Sequence, residues 1–372
     1  MVQEVPSTAR RVSIPWWAWL SVAIGIGLSV TAAWLVQRDI HDSAQREFEF
    51  AASEIRQNIQ ARLRANEQAL YAGVGLFSTL DTVTRSDWQS FTRNLRVQEY
   101  LPGTQGIGFT ASLAPEEVDP HIRAMRADGF PDYSVRPPGR RERTSAILYL
   151  EPQSGRNLRA FGFDMYSEPV RRQAMDLSMD RNVPALSGIV TLVQETKEDV
   201  QTGCLLYMPV YHRGQPASTV EERRRALRGW VYSPYRMNDL MQGTLRGWDL
   251  RQREHPLVVE IYDGDSVHPG SLLYRSRLRT DSIVDTAVNL VHLDSLEASN
   301  RRWTLRVLQL GTGMTEREHR TAWVVLAGGS AISFLLLGLI WALSNTRVRS
   351  REMADRSTRE LRQMTERLSL AT

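Results

Sequence analysis

The chain is 372 residues long, with a formal net charge of +4 and 24% charged residues. So mild an excess, supplied by arginine, leaves no electrostatic footprint for nucleic acid. The single cysteine, Cys204, excludes an intrachain disulfide, and no two of the seven histidines fall in H-x-H, H-x-x-x-H or H-E-x-x-H spacing, so no metal site is expected.

Residues 1–13 are a short N-terminal segment holding Arg10 and Arg11. Residues 14–36 (IPWWAWLSVAIGIGLSVTAAWLV) carry no charge. A helix of that length crosses a hydrocarbon core of about 30 Å, and it exceeds the ~7–15-residue apolar stretch of a cleaved leader. Residues 37–80 contain no proline, and Phe48, Ala52, Ile55, Ile59, Leu63, Leu70, Val74 and Phe77 recur at steps of three, four or seven. That stripe predicts a stalk helix. It can pack on its own domain; the sharper expectation is that it also meets a partner helix in a homodimer.

A mixed region follows. DWQSFTRNL (87–95) reads as a short helix and GIGFTASL (106–113) as a strand. A second helix opens at residues 114–117 and ends at Gly129 and Pro131. YSVRP (133–137), SAILYLEP (145–152), GIVTLVQ (188–194) and GCLLYMPVYH (203–212) read as strands, with a helix over residues 169–179. The charged run at 221–225 marks a connection. Beyond it lie the strands GWVYSPYR (229–236), LVVEIYDG (257–264), SLLYRS (271–276) and RRWTLRVLQL (301–310), with a helix MNDLMQGTL (237–245). The pattern predicts a mixed, α+β fold. A long N-terminal stalk helix carries two successive modules, at residues 81–214 and 215–320.

Residues 321–343 (TAWVVLAGGSAISFLLLGLIWAL) form a second uncharged stretch, and residues 344–372 continue in a polar helical pattern. Arg347, Arg349, Arg351 and Arg356 follow this stretch as Arg10 and Arg11 precede the first. The flanks facing the middle region mix Arg38 with Asp39 and Asp42, and Arg317 and Arg320 with Glu316 and Glu318. The positive-inside rule then puts both termini in the cytoplasm and the middle region outside. Trp16, Trp17, Trp19, Trp34, Trp323 and Trp341 stand near the span ends, where interfacial aromatics belong.

Catalytic signals are missing: there is no G-x-S-x-G, no G-x-x-x-x-G-K-[ST] and no G-x-G-x-x-G ahead of a helix. No enzyme activity is expected from this chain. The informative cluster is FGFDMYSEPVRRQAM (161–175), ALSGIVTLVQE (185–195) and GCLLYMPVYHRG (203–214). It reads as a helix flanked by strands. Phe163, Met165, Leu192, Val193, Leu206 and Met208 supply an apolar lining, and Arg171, Ser187, Gln194 and Tyr207 supply polar anchors. That is the make-up of a small-molecule pocket. The other reading is that these residues form core, with Asp164 capping a turn.

These runs, with PGTQGIGF upstream and GWVYSPYRM downstream, resemble the CHASE sensory domain over roughly residues 71 to 310. The resemblance implies an extracytoplasmic sensor with a stalk helix and two PAS-like modules. The membrane-distal module would hold a small-molecule ligand of unknown identity. It implies a multi-pass protein of a bacterial inner membrane that signals to a cytoplasmic output domain of kinase or cyclase type, absent from this chain. The tail STRELRQMTERLSLAT resembles the linker into a cytoplasmic PAS domain. By the same resemblance the ligand-binding set is Phe163, Met165, Arg171, Ser187, Val193 and Tyr207, with no cofactor and no metal. Arg171 stands where plant cytokinin receptors of the family carry an adenine-binding Asp, and Tyr207 where they carry a Thr. The reversed charge points from an adenine-type ligand to an anionic or acceptor-rich one. The alternative reading is a membrane-anchored assembly protein whose external domain binds no ligand.

Overall fold

The computed structural model describes residues 16–196, 198–246, 256–276, 288–311 and 316–369. Arg10, Arg11, the first residues of the first span and the last three residues of the tail lie outside these. The chain divides into two compact units, one from Glu47–Thr312 and one from Met1–Arg46 with Gly313–Thr372.

The spine of the first unit is the latter part of helix α1 (Trp16–Thr79). Phe48, Ala52, Ile55, Ile59, Leu63, Leu70 and Phe77 are buried there in the chain's own core, with Val74 packed beside them. The stripe read as a dimer seam is therefore consumed internally. Burying such side chains contributes roughly 1.5–3 kcal/mol each. They fasten two antiparallel sheets to one helix.

After α1 come α2 (Arg85–Leu95), α3 (Val97–Tyr100), β1 (Ile107–Leu113), α4 (Val118–Ala127), β2 (Thr144–Glu151), α5 (Pro169–Arg181), β3 (Ala185–Leu186) and β4 (Gly203–Tyr211). Then follow α6 (Val220–Ala226), β5 (Leu227–Arg236), α7 (Met237–Thr244), β6 (Leu257–Asp263), β7 (Leu272–Arg275), β8 (Val288–Ala298), β9 (Arg301–Leu310) and α8 (Glu316–Ser369). The first sheet has the order β2-β1-β5-β4-β3 and the second β7-β6-β9-β8. Phe77 meets Phe109 of the first sheet with ring centroids 4.2 Å apart. On the second sheet, His292 lies edge-on to Phe48, and Asp294 accepts Arg56 at 3.0 Å.

Three sequence expectations differ from the structure. GWVYSPYR was expected in the second module, yet β5 is the middle strand of the first sheet, so the change from one sheet to the next falls after Arg236 rather than at 214/215. GIVTLVQ makes only an isolated bridge, Val190 to Gly203, because the segment turns away and the Thr191 carbonyl is taken by a side chain. YSVRP is likewise reduced to one bridge, Arg136 to Phe163. Strand β8 was not anticipated. Its inward face carries His292 and Asp294, which interrupt the apolar alternation.

In the second unit, α1 and α8 each contain a stretch long and apolar enough to cross a membrane, with mean hydropathies of 1.9 and 2.2. Ala18, Val22 and Leu337 form a small buried cluster with Ile26 and Ile340 alongside. Above it the helices interdigitate. A Cβ on Gly25 would collide with Ser333 Oγ, and one on Gly329 with Ser29 Oγ. Each serine hydroxyl donates to the carbonyl four residues back on its own helix, Ser29 to Gly25 and Ser333 to Gly329. This leaves no unpaired hydroxyl in an apolar seam.

Candidate ligand site

The first sheet has two covered faces. One packs on α1. The other lies under α5, the 3-10 turn Met165–Ser167 and the segment before β4, and holds Met165, Met175, Leu192, Leu205, Tyr207, Trp230 and Tyr232. Local chemistry fixes this lid. Asp164 caps the 3-10 turn and accepts from the Ser145 amide at 2.8 Å and from Arg141 at 3.3 Å. Burial pushes the Asp164 carboxyl above its ordinary range, against the pull of the Ser145 and Arg141 contacts. Glu168 then accepts the Val170 and Arg171 amides at the start of α5, with Pro169 in the first turn. Asn182 in the left-handed conformation closes the helix.

Arg171, in the first turn of α5, points inward and is 3% exposed. Its Nη2 donates to the Thr191 carbonyl at 2.8 Å, and the guanidinium stacks over Phe163, 5.1 Å from the ring centroid. Its Nε is buried without a partner. No carboxylate pairs with it among the described residues: Glu168 is spent on the helix start, and Asp176 accepts the Tyr166 hydroxyl. The sequence alternative, a solvent-side Arg171 paired with Glu168 or Asp176, is not what the fold adopts.

Tyr207 on β4 lies directly opposite Tyr232 on β5, ring centroids 6.4 Å apart. The Tyr207 hydroxyl meets Met165 Sδ at 3.5 Å. Burial raises both phenol pKa values and the Arg171 charge only partly offsets it, so both remain donors at neutral pH. The Tyr232 hydroxyl is buried without a partner, as is Thr110 Oγ1 in β1, whose neighbour across the ladder is Trp230. Glycine is required beneath this ring: a Cβ on Gly108 would come within 2.6 Å of it.

Of the residues expected from sequence, Phe163, Met165, Arg171 and Tyr207 converge on this face. Ser187 is near but committed: its hydroxyl donates to the Gly188 carbonyl and accepts the Leu205 amide. Val193 is half-buried in the turn after Leu192. Sequence reasoning missed Tyr232 and Thr110. The signal was the alternation of Trp230 and Tyr232 in GWVYSPYR, which had been assigned to the other module.

The CHASE domain matches residues 81–274, and the chain belongs to that family. The matched region is thus a sensory rather than a catalytic domain. The chain is 22% identical over 218 residues to hybrid signal transduction histidine kinase A of Dictyostelium discoideum, covering 54% of this chain. It spans 10% of that relative's length. Among solved structures it is similar to the periplasmic sensory domain of the Campylobacter jejuni chemoreceptor Tlp1. The TM-score is 0.40 and the identity 8%, over 73% of this chain and 95% of the other.

Proposed function

We propose that this chain is the small-molecule sensor of a transmembrane receptor in a bacterial inner membrane. It would have two PAS-like modules outside and both termini in the cytoplasm. The observation that carries the reading is a CHASE domain lying between two helices long and apolar enough to span a bilayer. The arginine asymmetry of the flanks supports this orientation. The ligand is received on the α5 face of the first sheet, by Phe163, Met165, Arg171, Ser187, Val193 and Tyr207, with Tyr232 added. Ligand binding acts through α1 and α8 on a cytoplasmic output domain of kinase or cyclase type. For that, the ligand must bind the resting and signalling states with different affinity. Pairing of two copies along the exposed side of α1, where Phe50 and Tyr71 stand, belongs to the same reading.

Fusion of alkaline phosphatase after Gly214 is expected to give active enzyme, and fusion after Thr372 inactive enzyme. The reverse pattern would remove the receptor topology.

A further inference from the structure

We propose that the ligand of the α5 face is a monocarboxylate with an apolar body, its carboxylate seated against the Arg171 guanidinium and the Tyr232 hydroxyl. The inference rests on the sensor reading and names the ligand class for that site. A guanidinium taken out of water is costly unless an anion or a full set of acceptors compensates it. Arg171 has one carbonyl and one aromatic face, and its Nε has nothing. Two further polar atoms on the same sheet face, Tyr232 Oη and Thr110 Oγ1, are buried without partners. The guanidinium Nε and the Tyr232 hydroxyl present donors that no acceptor among the described residues takes, so the missing partner is an acceptor group.

Charge balance selects among acceptors. One guanidinium neutralises one negative charge. A phosphate dianion would leave a net charge amid Met165, Leu192, Tyr207 and Trp230. A single carboxylate matches one for one, and its two oxygens fit parallel N–H donors. The side chains around these donors are apolar and aromatic, so they suit a hydrocarbon or aromatic body rather than a second polar group.

The test uses the full chain in detergent micelles. The probes are aliphatic and aromatic monocarboxylates of two to ten carbons, their primary amides, and inorganic phosphate, read by thermal shift and calorimetry. At least one acid is expected to bind, its amide at least tenfold more weakly and phosphate not at all. Arg171→Met is expected to weaken the acid about tenfold to 150-fold. Tyr232→Phe, which removes only the hydroxyl and keeps the ring, is expected to weaken it severalfold. Amides binding as tightly as acids, an acid affinity unchanged in both variants, or no acid binding at all would each overturn the carboxylate. An amide or other neutral probe whose binding is lost in Tyr207→Ala but kept in Arg171→Met would sink the ligand class while leaving the sensor reading intact.

Discussion

Two buried arginines in the same half of the molecule are treated in opposite ways. Arg236, at the end of β5, is 3% exposed, as is Arg171. Its guanidinium pairs with Glu195 at 2.6 Å, Asp239 at 2.7 Å and Asp199 at 3.0 Å. Gln105 and Gln201 in turn donate to Asp239. Arg171 has no acid partner among the described residues. The second sheet repeats the closed arrangement with the sign reversed: buried Glu260 takes Arg306, Arg275 and the Tyr262 hydroxyl. Where a charge serves the fold, this chain surrounds it with partners. On the α5 face the charge is left open.

The largest expected effect breaks that contrast directly. Arg236→Met strips the partner from buried Glu195 and is expected to cost about 3–5 kcal/mol. Arg171→Met leaves no acid behind, only the carbonyl of exposed Thr191 to be hydrated. It is expected to stay within about 1 kcal/mol of the parent. Denaturant unfolding of both variants decides the matter: equal losses would mean that Arg171 is neutralised internally.

The α1 stripe gives a smaller, purely apolar effect. Ile59→Ala in the α1 stripe is expected to cost about 2–4 kcal/mol through a cavity. In a Cys204→Ser background, cysteines at Ile55 and Ile59 should fail to crosslink two copies, whereas a cysteine at Phe50, 70% exposed, should remain reactive. Efficient crosslinking through Ile55 would restore the dimer seam.

The smallest effect is on pH. Burial lifts the Asp164 carboxyl above its ordinary 3.8, so the folded state binds that proton more readily than the unfolded one. Its contribution to stability is then greatest below 3.8 and is lost as pH rises through the native pKa. In thermal melts, Asp164→Asn should flatten this limb relative to the parent chain. An unchanged slope would assign the limb to other groups.

Much of this was legible in the residues. The apolar stretches and the α1 stripe were visible as periodicity, and β1, β2, β4 and β9 as alternation. Arg171 and Tyr207 were visible as polar anchors in an apolar cluster, but the choice between pocket and core came from family resemblance, because no spacing rule marks an arginine that turns inward. Two things stayed hidden for the same reason. Tyr232 is brought to Tyr207 by long-range pairing of β5 with β4 and β1, and β5 follows a loop that reads as a module boundary. The fate of the α1 stripe depended on what covers it: an a/d-like pattern is identical whether its partner is another helix or the chain's own sheets.

The crossed serines and glycines of α1 and α8 have a mechanical consequence. They act as a detent. In the present alignment Ser333 sits on Gly25 and Ser29 on Gly329. Sliding α8 by one turn, about 5.4 Å, would set Gly25 opposite Gly329 and Ser29 opposite Val325, trading two seated knobs for a void and a clash. Small axial slips in either direction drive a serine Cβ against the next ridge. A seam so notched resists creeping along its length and yields more readily to tilting about the notch, as a hinge pin does.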